Sequence, residues 1–448
     1  MTQTPRSQHD RDLRAIVADG VAFSVMVGIG ETYVPAFALA AGQGEVVAGL
    51  VATLPMLAGA LFQLVTPTAV RHLRSYRRWV VVCACGQALS FVPLAVGAAA
   101  GHIGLFWLAF ATVAYWAFGM ATGPAWNAWV TSLVPSGMRA PFFAGRARIS
   151  HATLFVAILA GGLLLQWGRQ ASAELLLFTA LFASALVARL VSARFLWLQS
   201  EAPGLAERHR ALPPGAVLHA VRRAGSGGVL VYLLGMHAAV NVAAPFFTPF
   251  MLGPLGLSYA EFMTLTAAAF LSRVAVLPLL GRLAHRRGTR LVLWWGAVGI
   301  VPLPVLWLVS HHFAWLLAVQ ICAGAAWAAL EFATLLSFFE GIEEDDRASV
   351  LTAFNLGSAF AIGVGALAGS RLFGLFDGSA AAYAALFAVS TAGRLMMLPV
   401  LRRARPAQHL MDMQLRTLAV RPSAGAVERP VLASVGERPE EPGSHRGG

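Results

Sequence analysis

Long apolar stretches alternate with short polar ones along nearly the whole chain. Val46–Thr66, Trp79–Ala100, Ala152–Trp167, Leu291–Val309 and Leu351–Ser370 carry no acidic or basic residue. A helix of about 20 apolar residues covers the ~30 Å hydrocarbon core of a bilayer. A water-soluble domain has no core large enough to hide so many of them. The pattern predicts twelve membrane-spanning helices, at 16–40, 46–67, 79–100, 105–134, 150–168, 172–198, 228–252, 259–281, 290–310, 313–340, 351–374 and 379–401. The expected fold class is an all-α polytopic membrane protein.

The polar stretches organise the spans. The longest internal one, 199–227, contains Pro203, Pro213 and Pro214 with several glycines and mixed charge, and reads as a hydrophilic cytoplasmic linker. It separates a six-helix bundle at 1–198 from a second at 228–403. The tail, 404–448, is rich in Pro, Gly, Glu and Arg without apolar periodicity and is expected to be disordered.

The two halves repeat. Ala180-Leu181-Phe182-Ala183 recurs 205 residues on as Ala385-Leu386-Phe387-Ala388, and the same offset takes Arg189-Leu190 to Arg394-Leu395 and Ser132 to Ser337. The loop from Pro135 to Ala140 corresponds to Glu340–Ala348, with Arg139 matching Arg347. Six spans repeated in the same orientation form the parallel type of duplication, related by an axis along the membrane normal.

Composition agrees with a membrane protein: 58% of residues are hydrophobic and 12% charged, against about 25% charged in a soluble domain. A net charge of +12 would fit nucleic acid, but the placement of the charge speaks otherwise. All 33 basic residues are arginines, clustered in short loops. The flanks and the loops on the side of the termini hold 23 of them; the opposite loops hold two, Arg169 and Arg371. That asymmetry places both termini in the cytoplasm and the protein in the cytoplasmic membrane. Cys83, Cys85 and Cys322 lie within apolar segments and imply neither disulfides nor a metal site. Met1–Arg14 is polar and basic, with no pattern of a cleaved signal peptide.

Gly281-Arg282-Leu283-Ala284-His285-Arg286-Arg287-Gly288-Thr289-Arg290 resembles the loop motif Gly-x-Leu-x-Asp-Arg-x-Gly-Arg-Arg of the major facilitator superfamily, found between the second and third helices of a half. His285 stands where that motif has Asp. Pro135 to Arg139, followed by Gly145-Arg146, resembles the superfamily's loop after the fourth helix. The resemblance implies two pseudo-symmetric six-helix bundles around a cavity faced by the first and seventh helices. Gly281 and Gly288 would permit tight turns and close helix approach. Arg282, Arg286 and Arg290, with Arg139 and Arg347 in the matching loops, would bond helix ends on the cytoplasmic side. A latch formed in one conformation only biases a two-state rocking equilibrium.

Charge within a span is costly and marks a candidate site. Glu31 lies in Gly28-Ile29-Gly30-Glu31-Thr32-Tyr33-Val34-Pro35, roughly 18–22 Å into the first span, among residues that favour a bent or opened helix. Asn241, with His237 one turn earlier, has similar depth in the seventh span. The resemblance implies that Glu31, Asn241 and His237 converge on a substrate or a proton, with Glu31 suited to carry the proton. Arg273 and Glu331 have equal depth and opposite sign in the eighth and tenth spans, the pattern of a buried ion pair that holds these helices together. Trp126 and Asn127, in Trp126-Asn127-Ala128-Trp129 of the fourth span, are candidates to line a cavity for an apolar or cationic substrate. Arg189 and Arg394, near cytoplasmic helix ends, read as arginines reaching for lipid headgroups. Gly365-x-x-x-Gly369 permits close helix packing.

Together these features point to a secondary active transporter working by alternating access, driven by a proton gradient since no phosphate-binding loop is present. The expected partners are the bilayer, a small-molecule substrate and a proton. No enzyme activity, cofactor or metal is implied, and the working unit is expected to be a monomer. The competing reading is a polytopic membrane enzyme or a non-transporting receptor, for which His311-His312 and the acidic run Glu343–Asp346 are the only candidate clusters.

Overall fold

A computed structural model describes residues 5–51, 53–134, 139–201, 227–341, 344–376 and 379–403. Among them are twelve helices long and apolar enough to cross a membrane: Gln8–Ala40, Gly44–Gln63, Tyr76–Ala99, Leu105–Val130, Gly145–Gln170, Glu174–Leu198, Gly228–Leu252, Tyr259–Ala284, Thr289–Val309, Phe313–Thr334, Phe354–Gly374 and Ala380–Arg403. They are called the first to twelfth spans below. Most of the expected linker, residues 202–226, and the expected disordered tail, 404–448, lie outside the described residues.

Several helices outrun their apolar cores. The fifth begins at Arg139, the eighth continues to Arg287 and the eleventh begins at Glu344. Arg282 thus sits in the last turn of the eighth span and Arg286 and Arg287 continue the same helix beyond it rather than forming a loop, because arginine is a good helix former where lipid no longer excludes charge. The eighth span starts on a capping box between Ser258 and Glu261 and stops at Gly288, whose φ of +87° suits a residue without Cβ.

Two breaks recur at matching places. The first span interrupts its helix with a 3-10 turn at Glu31–Tyr33, and the seventh does so 213 residues later (31 to 244) at Ala244–Phe246. Pro35, just after the first break, and Pro245, within the second, each remove a backbone donor there. Thr32 Oγ1 donates to the carbonyl of Val27 at 3.1 Å, satisfying an acceptor in the disturbed turn.

Packing follows the duplication. The first span lies along the fifth and sixth, and the seventh along the eleventh and twelfth; the second pairs with the fourth, and the eighth with the tenth. The bundles meet along two equivalent seams, the fifth span against the eighth and the second against the eleventh. Glycines make the closest approaches possible. A Cβ on Gly365 or Gly369 would enter the carbonyls of Ala238 or Val242 on the seventh span, and one on Gly324 would enter that of Ala269 on the eighth. Large apolar side chains such as Phe106, Trp107, Leu163, Trp167, Trp295 and Met396 point outward, as a lipid-facing surface requires.

Polar contacts join the bundles at the end remote from the termini. The backbone N–H of Tyr259 donates to Gln166 Oε1 at 3.0 Å, and its hydroxyl donates to Glu174 Oε1 at 2.5 Å. Nearby, the Tyr33 hydroxyl touches the Met263 sulfur across the same seam and donates to the carbonyl of Ile158 at 2.6 Å. The seam is shut on that side.

Candidate functional site

Two adjoining cavities lie among the helices, and Ala244 and Thr266 line both. The larger, of about 220 Å³, is walled by the second bundle. Its apolar surface comes from residues such as Phe247, Leu303, Trp307 and Trp327. Against this surface stand a few polar groups, the usual makeup of a small-molecule site.

Arg273 Nη1 faces Glu331 Oε2 at 3.3 Å, and the two side chains are 15% and 21% exposed toward the cavity. The other carboxylate oxygen of Glu331 is buried and has no hydrogen-bond partner among the described residues. Arg394, 3% exposed, also lines the cavity. Its Nη1 donates to the carbonyl of Ile300 at 2.7 Å, and its Nε has no hydrogen-bond partner among the described residues. Asn241 Nδ2 donates to the His237 carbonyl at 2.8 Å, which leaves its buried Oδ1 without a hydrogen-bond partner among the described residues. The His237 ring lies against Phe354, centroids 5.8 Å apart.

The smaller cavity, of about 80 Å³, spans both bundles and holds Glu31. Glu31 Oε2 accepts from the Tyr115 hydroxyl at 2.5 Å. The break in the first span places it there. Gly30 fits only because it lacks a side chain, since a Cβ would meet the Phe91 ring and the Met26 carbonyl at 2.7 Å.

The sequence expectations are therefore redistributed. Glu31 does not share a cavity with His237 and Asn241; those two sit with Arg273 and Glu331 in the larger one. Trp126 and Asn127 line neither. Trp126 is fully buried under the guanidinium of Arg146, 4.7 Å from its ring centroid. Asn127 is buried beside it, with neither amide atom hydrogen-bonded among the described residues. On the same helix, Tyr115 and Trp116 reach the smaller cavity instead. Arg189 and Arg394 are 0% and 3% exposed, so neither reaches for lipid. Gly281, expected at a close approach, lies inside a helix with open space around its Cβ position. Arg282, Arg286 and Arg290 are exposed. The side chains of Arg139, His285 and Arg347 lie outside the described residues.

Beyond those expectations, the first bundle buries a charged cluster. Asp19 Oδ2 lies 3.6 Å from Arg146 Nη2, and Asp19 Oδ1 accepts from Ser192 Oγ at 2.6 Å. Ser192 in turn accepts from Arg189 Nη1 at 2.7 Å. Arg146 Nε donates to the carbonyl of Ile16 at 3.1 Å.

No family model matches the chain, and no curated protein matches it. In three dimensions it is similar to a mutant of the nucleoside transporter NupG, with a TM-score of 0.71 at 11% identity over 87% of this chain and 99% of that one. An auto-inhibited POT family peptide transporter gives 0.67 at 12% identity over 91% and 99%. A bacterial homologue of the human lysosomal transporter Spinster, inward-facing and occupied, gives 0.57 at 15% over 90% and 95%. At such identities the likeness concerns architecture alone. Twelve membrane-length helices in two pseudo-symmetric six-helix bundles, superposing on these transporters over most of the chain, give this protein the major facilitator fold.

Proposed function

We propose that the chain is a secondary active transporter that carries a small molecule across the cytoplasmic membrane by alternating access, coupled to protons. The observation that carries this reading is the pair of equivalent seams, the fifth–eighth one bridged remote from the termini, beside cavities with buried polar atoms that lack hydrogen-bond partners among the described residues. With the termini cytoplasmic, as the arginine asymmetry predicts, this is a state shut to the outside. Arg282, Arg286 and Arg290 face solvent at the other end, which is what a latch engaged only in the opposite state requires. A substrate drives such an interconversion by its differential affinity for the two states. The three solved transporters of the same fold support the class of activity and leave the solute open.

Glu31 is the proposed proton carrier. It lies at the break of the first span, apart from the arginines, with Tyr115 donating to its carboxylate. A hydrogen bond to a charged group contributes about 1.5–3 kcal/mol. Protonation of Glu31 weakens that bond and loosens the turn that carries Tyr33 onto the seam.

Purified protein in liposomes with an imposed pH gradient tests the proposal directly. A panel of metabolites should include at least one solute that stimulates proton flux. In Glu31→Gln that coupled flux should vanish while exchange of the same solute across the membrane persists. Absence of solute-stimulated flux across the whole panel contradicts the transporter reading; undiminished coupling in Glu31→Gln contradicts the role of Glu31.

A further inference from the structure

We infer that the larger cavity selects a small organic monoanion: a single oxyanion group on an apolar, ring-sized body, with Arg394 as its counter-ion. The inference deepens the transporter proposal and rests on it only for the passage of that anion across the membrane.

Charge counting carries the argument. Two guanidiniums, Arg273 and Arg394, line the cavity against one carboxylate, Glu331. The carboxylate is engaged by Arg273 at 3.3 Å. Arg394 is left with one backbone carbonyl and an Nε without a hydrogen-bond partner among the described residues, at 3% exposure. A cation so far from water is costly unless something neutralises it.

The duplication shows what is missing. Arg189, its repeat mate, is tied through Ser192 to the carboxylate of Asp19. Counting from the two helix breaks, the seventh-span position equivalent to Asp19 is Tyr232, and the 205-residue offset takes Ser192 to Met397. The Tyr232 hydroxyl is itself buried without a hydrogen-bond partner among the described residues. The first bundle supplies its own anion; the second has a phenol at the equivalent position and a cavity beside its arginine.

The rest of the cavity sets the body of the ligand. Trp307, Trp327, Phe247 and Leu303 offer flat apolar surface, and about 220 Å³ suits an occupant of roughly one ring with its substituent. The free oxygens of Asn241 and Glu331 accept donors and so do not recruit an anion. They fit a hydroxyl or another neutral donor on the same molecule. A guanidinium fork bonds carboxylate, sulfonate and monoanionic phosphonate alike, so the oxyanion class is common to all three.

Equilibrium binding to the purified full chain in detergent tests the inference independently of transport. Radiolabelled benzoate is the probe, with benzenesulfonate, phenylphosphonate, neutral benzamide and cationic benzylamine as competitors. Benzoate should bind saturably. At least one of the other anions should displace it, while benzamide and benzylamine should compete at least tenfold more weakly. Arg394→Gln should erase this ranking and Arg394→Lys should restore it in part, both variants being checked as monodisperse on size exclusion. No saturable benzoate binding, equal competition by benzamide or benzylamine, or an unchanged ranking in Arg394→Gln overturns the inference. Transport of a neutral or cationic solute without anion binding would sink the anion site and spare the transporter. Anion binding without any transport would do the reverse.

Discussion

Removing one partner of the Arg273–Glu331 pair should harm the protein more than removing both. The two groups face each other at 3.3 Å and are 15% and 21% exposed. At an effective dielectric of about 20, unit charges at that distance attract by about 5 kcal/mol. The cost of taking them out of water cancels most of this. Glu331→Gln preserves the side chain's shape but leaves Arg273 charged in a cavity that already holds Arg394. Breaking a fully buried pair costs about 3–5 kcal/mol, and the partial exposure here brings the loss to the bottom of that range or below it, roughly 2–3 kcal/mol. The double variant Arg273→Met with Glu331→Leu substitutes apolar contact between the eighth and tenth spans and should be within about 1 kcal/mol of the parent. With the matching singles Arg273→Met and Glu331→Leu each losing roughly 2–3 kcal/mol, the coupling between the sites is about 3 kcal/mol or more. Thermal unfolding in detergent micelles reads this out, at about 1–2 °C per kcal/mol for a chain of this size. Each single variant should melt roughly 3–5 °C lower and the double close to the parent. Single variants that melt like the parent, or a double variant worse than either single, refute the reasoning.

Other perturbations separate the remaining parts. Gly369→Val drives a side chain into the Val242 carbonyl and should destabilise by roughly 1–3 kcal/mol, whereas Gly363→Ala meets only Leu57 Cδ2 at 3.6 Å and should be near neutral by the same melting assay. Asp19→Asn leaves Arg146 and Arg189 without their carboxylate and should cost roughly 3–5 kcal/mol, visible as loss of folded protein in the membrane fraction. Tyr259→Phe removes the bond to Glu174 across the closed seam. Losing about 1.5 kcal/mol there should shift the two-state ratio about tenfold toward outward opening, read as faster labelling of a cysteine placed at Thr266.

The spans were legible because lipid imposes a hard length rule, and long runs without a charged residue, such as Trp79–Ala100 or Leu291–Val309, satisfy it. The glycines of the eleventh span were legible for a similar reason: Gly365 and Gly369, four apart, form one small-residue stripe against the seventh span. Arg273 and Glu331 could be matched by depth and sign. Direction around a helix was not legible. Arg394 lies within three turns of a helix end, where sequence alone cannot tell a headgroup contact from a cavity wall. Trp126 and Trp116 occupy one helix, yet of the two only the Trp126 ring is capped by Arg146, which arrives from another span. Tyr259 and Glu174 meet across the seam from opposite bundles, and no local pattern marks such a contact. The Asp19 cluster draws on three spans at once and was invisible for the same reason.

Distances measured between spin labels at both ends of the seams test alternating access most directly. One pair, Arg169→Cys with Leu375→Cys, reports the end remote from the termini; the other, His72→Cys with Arg287→Cys, reports the opposite end. All four positions are exposed, and Cys83, Cys85 and Cys322 are replaced beforehand. On acidification or solute addition in liposomes, rocking of two rigid bundles predicts that one distance lengthens as the other shortens. Distances that stay fixed under every condition, or that grow and shrink together, contradict it.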